Sequence, residues 1–221
     1  MKRTLAAIIL LLSAGSLFAQ QSVLSQYGFR LGLTAHPTIG WVKPQVGKSN
    51  GVSLGFSYGL LGDFNFAENY AFATGVTITT VNGRTTEVRE LMTETGTAQS
   101  EYELKYKMQY IEVPLSVKLR TSKMADVRWY GQFGLSNGFK IGAKQDGNPA
   151  GGSDFKNQNI SETTKFYRAG LIIGAGGEYD TSGSASLFGG LTYNNGFTDI
   201  TTDKTNNVRN HYIGINFGVF F

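Results

Sequence analysis

The stretch HYIGINFGVFF, residues 211–221, is the clearest indication of the fold. It contains no Asp, Glu, Lys or Arg, and apolar side chains stand at every second position up to Phe221. Gly214, Asn216 and Gly218 lie between them. Because successive side chains of a β-strand point to opposite faces, this pattern predicts a strand with one apolar face and one small or polar face.

The same alternation recurs in seven segments upstream, so the sequence predicts eight strands. The seven segments are YGFRLGLTA (27–35), GVSLGFSYGL (51–60), YAFATGVTITT (70–80), and residues 102–120, 127–141, 167–179 and 187–193. The predicted connections alternate in length. Long polar connections are expected at 37–51, 81–101, 142–162 and 195–209, and short ones near 65–69, 121–126 and 180–184.

The segment 102–120 shows a change of phase. Its apolar residues stand at even positions from Leu104 to Tyr110 and at odd positions from Ile111 to Leu119. A slip of one residue reverses the two faces of a strand, so we expect a β-bulge at Tyr110–Ile111.

The residues opposite the apolar face indicate which face is inside. A soluble barrel would place many charges there, but charged residues are only 16% of this chain, against the usual quarter or so. The opposite face holds mainly Gly, Ser, Thr and Ala, with scattered charges such as Arg30, Glu112, Lys118, Arg128, Arg168 and Glu178. Small residues with a few charges suit the narrow lumen of an eight-stranded barrel whose apolar face meets lipid.

Aromatic residues and loop lengths favour the same architecture. Aromatic side chains stand towards strand ends, as membrane-interface girdles require: Tyr27, Tyr58, Tyr70, Trp129, Tyr179, Tyr193 and Phe221. We therefore predict an all-β, eight-stranded antiparallel transmembrane β-barrel, an up-and-down meander with long outer loops and short periplasmic turns. Since lipid cannot satisfy an open sheet edge, the last strand should pair with the first.

The N-terminus predicts export. Lys2 and Arg3 precede the apolar run Leu5–Leu12 and a small-residue exit ending at Ala19, which is the layout of a secretory signal peptide. The expected organisation is a cleaved signal peptide at 1–19 and an outer-membrane β-barrel domain at 20–221. No later segment has the length of a transmembrane helix.

Three segments carry a family resemblance. QYIEVPLSVKL (109–119), RAGLIIGAGGEY (168–179) and LTYNNGFTDI (191–200) resemble strands of PorT-like outer-membrane β-barrel proteins of Gram-negative bacteria. The resemblance covers most of residues 21–221 and implies the barrel fold, an N-terminal signal peptide and the cell outer membrane. It also implies a possible link to protein secretion, and it brings no catalytic residues.

A carboxylate in the narrow lumen needs a partner, since an unpaired buried charge is costly. Glu112 falls within the membrane-spanning part of the fourth strand, beside Pro114. We expect it to face the lumen and to pair with either Arg30 or Arg168, which together form a predicted lumen charge cluster.

No cofactor or metal site is expected. The chain has no cysteine and only two histidines, His36 and His211, whose positions place them on opposite faces of the barrel wall. The stretch GAGGEY (174–179) lacks the Lys-Ser/Thr and the helix of a phosphate-binding loop. The net charge of +4 is too small and dispersed to indicate a nucleic-acid partner.

The leading functional hypothesis is a non-enzymatic structural or interaction protein of the cell envelope. The expected partners are outer-membrane lipid, the outer-membrane barrel-assembly machinery and an envelope or secretion complex. The alternatives are a narrow channel for small solutes and, less favoured, a lipid-modifying barrel enzyme. The terminal residues Phe217, Val219 and Phe221 are the expected assembly signal.

Overall fold

The computed structural model describes residues 28–45, 47–93, 96–149, 154–181, 185–202 and 207–221, with the backbone alone at 87–100, Tyr102 and Pro149. The expected signal peptide and Tyr27 lie outside these ranges. Nine strands are present there: β1 (Phe29–Pro44), β2 (Lys48–Ala67), β3 (Tyr70–Thr93), β4 (Gly96–Arg120), β5 (Val127–Pro149), β6 (Phe155–Asn159), β7 (Tyr167–Asp180), β8 (Ser186–Gly196) and β9 (Val208–Phe220). Within the same ranges no helix is long and apolar enough to cross a membrane.

Eight strands close into a barrel. Each ring strand pairs antiparallel with its neighbour in the chain, in the order β1-β2-β3-β4-β5-β7-β8-β9, and β9 returns to pair with β1. Gly32 stands opposite Phe220 at one end of this seam, and Pro44 opposite Val208 at the other. The predicted eight-stranded meander is confirmed, and the short β6 is an addition that pairs with the outer end of β5.

The predicted long connections are largely paired strand. β1 continues to Pro44 and β2 begins at Lys48, although a link was expected at 37–51. β3 and β4 extend across most of the expected link at 81–101, with only residues 94 and 95 between them. At the end that holds both termini of the ring, the connections after β2, β4 and β7 are short, as expected of periplasmic turns.

In the part of the barrel nearer the two ends of the chain, the apolar side chains point outward. Leu54 is 73% exposed and Leu191 58% exposed. A whole belt of apolar side chains exposed to this extent would be costly in water, so the belt faces lipid. Trp129, Tyr179 and Phe221 lie exposed at the periplasmic end of this belt. Tyr58 is an exception to the predicted girdle, because it lies in the middle of β2.

The predicted bulge at Tyr110–Ile111 is wrong. The β3–β4 register runs without a shift past this point, with Thr79 opposite Tyr110 and Ile78 opposite Ile111. The irregularity lies in the partner strand, where Gln109 and Tyr110 pair with Gly142 and Lys140 and leave Ile141 unpaired.

The change of phase in β4 has another cause. Leu104, Tyr106, Met108 and Tyr110 all point into the barrel, where they are buried. The even positions of β4 therefore face inward from Leu104 to Arg120, and the interior itself changes from apolar to polar along this part of the strand.

The barrel therefore has two regions, which differ in the polarity of their interior. The lower barrel is the part of the ring with apolar residues outside. The outer extension is the part beyond it, formed by residues 42–44, 48–51, 81–93, 96–109 and 142–149. Its interior holds a compact apolar core: Val42, Val81, Leu104, Tyr106, Met108, Ala143, Ile200 and Val208, joined to Tyr110 and Tyr212 below.

Candidate functional site

The lumen holds a buried ion pair near its upper end. Glu112 of β4 and Arg168 of β7 stand on either side of Gly138 in β5, with Arg168 Nη1 3.0 Å from Glu112 Oε1. Arg168 is 0% exposed and Glu112 3% exposed. Removing two charges from water costs several kcal/mol each, roughly, so such a pair persists only when further hydrogen bonds satisfy it.

Those further hydrogen bonds are present. Arg168 Nη2 donates to Asn194 Oδ1 at 2.8 Å and to the Asn210 backbone oxygen at 3.1 Å, and its Nε donates to Asn210 Oδ1. Tyr212 donates its hydroxyl to Glu112 Oε2 at 2.6 Å. We call Glu112, Arg168, Asn194, Asn210 and Tyr212 the upper layer.

A glycine makes room for this layer. A Cβ at position 196 would stand 2.9 Å from Arg168 Nη2 and 2.2 Å from the Asn210 oxygen. Gly196 therefore lets β8 approach the guanidinium closely, which explains why small residues accompany large polar ones on the lumen face.

A second ionic layer closes the periplasmic end. Arg30, Lys118 and Arg120 surround Asp63 and Glu178, and we call these five residues the lower layer. Lys118 Nζ is 2.9 Å from Asp63 Oδ2 and 3.2 Å from Glu178 Oε1. Arg30 Nη2 is 2.8 Å from Glu178 Oε2, and Arg120 Nη2 also contacts Asp63 Oδ2.

The structure therefore separates the predicted cluster. It brings Glu112 to Arg168, whereas Arg30 lies in the lower layer. The sequence reading missed Asp63 and Arg120 as members of an ionic layer. Their parity was the available signal, because both stand at positions of β2 and β4 whose side chains face the lumen.

An aromatic residue from the terminal strand completes the lower layer. Phe220 faces inward and is 1% exposed. Its ring lies 4.3 Å from the guanidinium carbon of Arg30 and 4.6 Å from Lys118 Nζ, and it packs against Phe188 with 5.1 Å between ring centroids. Such contacts stabilise cations that have little water around them.

Between the two layers lies a small cavity of about 100 Å³ whose walls are partly polar and partly apolar. Its walls carry hydroxyl, amide and imidazole groups, among them Thr34, His36, Ser57, Gln132 and Asn216. A polar space of this size can hold a few water molecules. Residues of the lower layer and of the upper layer border it at its two ends.

The two histidines lie on opposite faces of the wall. His36 faces the lumen, with Nδ1 3.2 Å from Thr34 Oγ1. His211 lies on the outer face, stacked on Trp41 with 5.7 Å between ring centroids. Among the described side chains, no group of three or more His, Cys, Asp or Glu could hold a metal ion.

The residues of the expected assembly signal lie on the outer face of the seam. Phe217 and Phe221 are 52% and 59% exposed, and Val219 is half-buried. The backbone N–H of Phe221 donates to the Leu31 oxygen at 2.8 Å, so the terminal residue still belongs to the β1–β9 ladder.

A comparison with protein families agrees with the barrel architecture. A family described as "Outer membrane protein beta-barrel domain" matches residues 18–202. Among curated proteins, none matches the sequence.

Three solved structures are similar to the chain. Neisserial surface protein A (17% identity, TM-score 0.47) covers 87% of this chain and 95% of its own, and Ail of Yersinia pestis (16%, 0.37) covers 87% and 98%. OprG from Pseudomonas aeruginosa (13%, 0.45) covers 88% and 96%.

Proposed function

Because the chain belongs to the outer membrane protein beta-barrel domain family, we propose that it is a non-conducting barrel that acts as a structural or interaction component of the cell envelope. It is an outer-membrane protein, as its family and its outward apolar belt both indicate. The proposal concerns what the barrel does there.

The closed lumen carries this proposal. A solute would have to part the ion pairs of the lower layer, then those of the upper layer, and then the apolar core of the outer extension. Each ionic layer is held by residues from several strands, so opening a path requires the wall itself to move. The lumen is thus a packed interior that stiffens the barrel.

The non-enzymatic part of the proposal rests on the positions of the reactive groups. His36 is enclosed in the lumen cavity and His211 is stacked beneath Trp41, so the two cannot act on one substrate. The acids nearest the cavity, Asp63 and Glu112, are engaged in ion pairs.

The surfaces left for function are therefore the two ends of the barrel. The outer extension projects paired strands beyond the membrane, and a groove of about 370 Å³ runs beside Asn50, Arg84 and Phe155 on it. The PorT-like resemblance supports an envelope or protein-secretion complex as the partner. We further propose that residues 1–19 are cleaved on export, and that Phe217, Val219 and Phe221 are read by the barrel-assembly machinery.

Planar-bilayer recording tests the closed lumen. The purified protein should give no steady unitary current, and a reproducible single-channel conductance would favour the narrow solute channel instead.

Site-directed crosslinking tests the interaction role. The chain has no native cysteine, so single cysteines can be placed at Asn50 on the outer extension and at Lys123 in a periplasmic turn. A photocrosslinker on one of these should trap an envelope protein in intact cells, and the other site serves as the matched control. Monomer alone from both positions would contradict the interaction role.

A further inference from the structure

The outer surface carries a ring of cations just beyond the apolar belt. We follow each ring strand from the apolar belt towards its outer end. On seven of the eight strands, counted in the described part of the chain, the first charged residue on the outer face is Lys or Arg. On β7 this residue lies two positions before the strand, and β8 is the exception. With Lys105, the set forms what we call the basic collar: Lys43, Lys48, Arg84, Lys105, Lys107, Lys144, Lys165 and Arg209.

The strand register sets collar residues against each other. Three pairs stand directly opposite across neighbouring strands: Lys43 and Arg209, Arg84 and Lys105, and Lys107 and Lys144. Like charges directly opposite on one face destabilise a sheet. Each of the three pairs therefore needs a compensating negative charge nearby.

The protein supplies only part of the compensation. Asp146 lies 2.6 Å from Lys107 and Asp199 lies 2.7 Å from Lys165. Burial raises the pKa of each carboxyl, but hydrogen bonds from these lysines and from backbone N–H groups hold the pKa below its usual range. Asp146 also stands directly opposite Lys105. The other five collar residues have no ion pair with a described side chain: Lys43, Lys48, Arg84, Lys144 and Arg209.

The height of the collar identifies the anion. Trp41 stands two residues below Lys43 on the same face and stacks on Tyr193 and His211, which marks the upper edge of the apolar belt. Lipid headgroups meet the barrel just above such an edge.

We propose that the basic collar binds the phosphate groups of outer-leaflet lipids. Cations at a membrane surface attract such groups, and paired cations on adjacent strands offer two donors to one phosphate. Binding would relieve the repulsion across the ladder and anchor the barrel at a fixed depth, with the outer extension held clear of the membrane.

Fluorescence of Trp41 tests the proposal. The chain has two tryptophans, and Trp129→Phe leaves Trp41 as the only reporter, next to the collar. The folded protein in neutral detergent is titrated with lipid A, the phosphorylated glycolipid of the outer leaflet. We expect a saturable change in Trp41 emission that weakens as salt is added.

Two further titrations separate the sources of phosphate. Dephosphorylated lipid A should bind much more weakly than lipid A, and equal binding would overturn the proposal. Inorganic phosphate at the same concentration should leave the emission unchanged. An equal response to inorganic phosphate would overturn the assignment to lipid.

Variants locate the site. Lys43→Gln with Arg209→Gln, and separately Arg84→Gln with Lys105→Gln, should weaken lipid A binding by about fivefold for each cation removed. Lys123→Gln and Lys123→Ala at the periplasmic end are the matched controls and should bind as before. Heat-modifiable migration on a gel verifies that each variant is folded. Unchanged affinity in both collar variants, or an equal loss in the controls, would overturn the proposal.

Discussion

The lower barrel and the outer extension are built from the same strands, but their apolar side chains point in opposite directions: outward to lipid in the lower barrel and inward in the outer extension. In the lower barrel Leu115 points to lipid while Glu112 and Lys118 point inward. Farther along the same strand, Leu104 and Met108 point inward and the charged residues point outward. The apolar side chains thus change faces where the surroundings change from lipid to water, although the backbone continues without interruption.

This difference shows that a hydrophobic pattern reports the solvent as well as the secondary structure. A polar interior is tolerated in the lower barrel because its charges are paired and hydrogen-bonded, and because lipid demands an apolar exterior. The outer extension is surrounded by water, so it buries its apolar residues as a soluble protein does.

The largest expected effect concerns ion pairs on the two sides of the wall. Glu112→Ala removes the carboxylate that, among the described residues, pairs with Arg168. It leaves a buried guanidinium uncompensated, so we expect a loss of about 3–5 kcal/mol of unfolding free energy. Lys107, on the same strand as Glu112, forms a partly exposed pair with Asp146 of β5, so Lys107→Ala should cost no more than about 1 kcal/mol.

Urea unfolding in lipid vesicles measures both variants. Equal losses would mean that the lumen is hydrated and that its charges are screened as those outside are. The double variant Glu112→Leu with Arg168→Met should recover much of the stability, since an apolar pair of similar size removes the unpaired charge.

The second prediction concerns the boundary between the two regions. Leu115→Arg places a cation in the lipid belt and should destabilise the barrel by about 2–4 kcal/mol, the cost found near the bilayer midplane. Gln109→Arg lies on the same face of the same strand, three outward-facing positions farther out, and should cost at most about 1 kcal/mol. Folding yield into vesicles measures the two, and a large loss for Gln109→Arg would move the membrane edge outward.

The smallest expected effect on stability concerns the terminal strand. Phe221 is 59% exposed, so Phe221→Ala should change the unfolding free energy by no more than about 1 kcal/mol in vesicles. If Phe221 is part of an assembly signal, its deletion should still lower the amount of folded barrel in cells severalfold. Tyr179→Ala removes another exposed aromatic from the periplasmic end and is the control. Wild-type levels of folded barrel without Phe221 would contradict the assembly role.

Much of the fold could be predicted from the sequence because alternation in a strand is a local property. The eight strands, the outward apolar belt and the pairing of the last strand with the first all follow from period-two patterning and from the need to satisfy backbone groups in lipid. The misplaced bulge has a clear cause. Alternation indicates only that the two faces of a strand differ in polarity. The change at Tyr110–Ile111 therefore resembles a slip of the backbone, whereas it marks the point where the barrel interior changes between apolar and polar.

The sequence narrowed the partner of Glu112 to Arg30 or Arg168 but could not choose between them. Parity placed Arg30, Glu112 and Arg168 inside, but their heights depend on the stagger between strands, which no single strand encodes. The outer extension has the composition of a loop in the sequence, because its outward residues are polar. Its inward apolar residues become recognisable only when they are paired across the sheet.

By itself, then, the sequence determined that residues 211–221 form a strand with its apolar face to lipid, and that charges such as Glu112 face the lumen. The tertiary structure alone decided that Glu112 meets Arg168 while Arg30 meets Glu178, and that Phe220 covers the lower layer. It also decided that collar cations face each other across neighbouring strands. The physical reason is that side-chain direction follows from position along one strand, whereas contact across a barrel follows from the register of all eight.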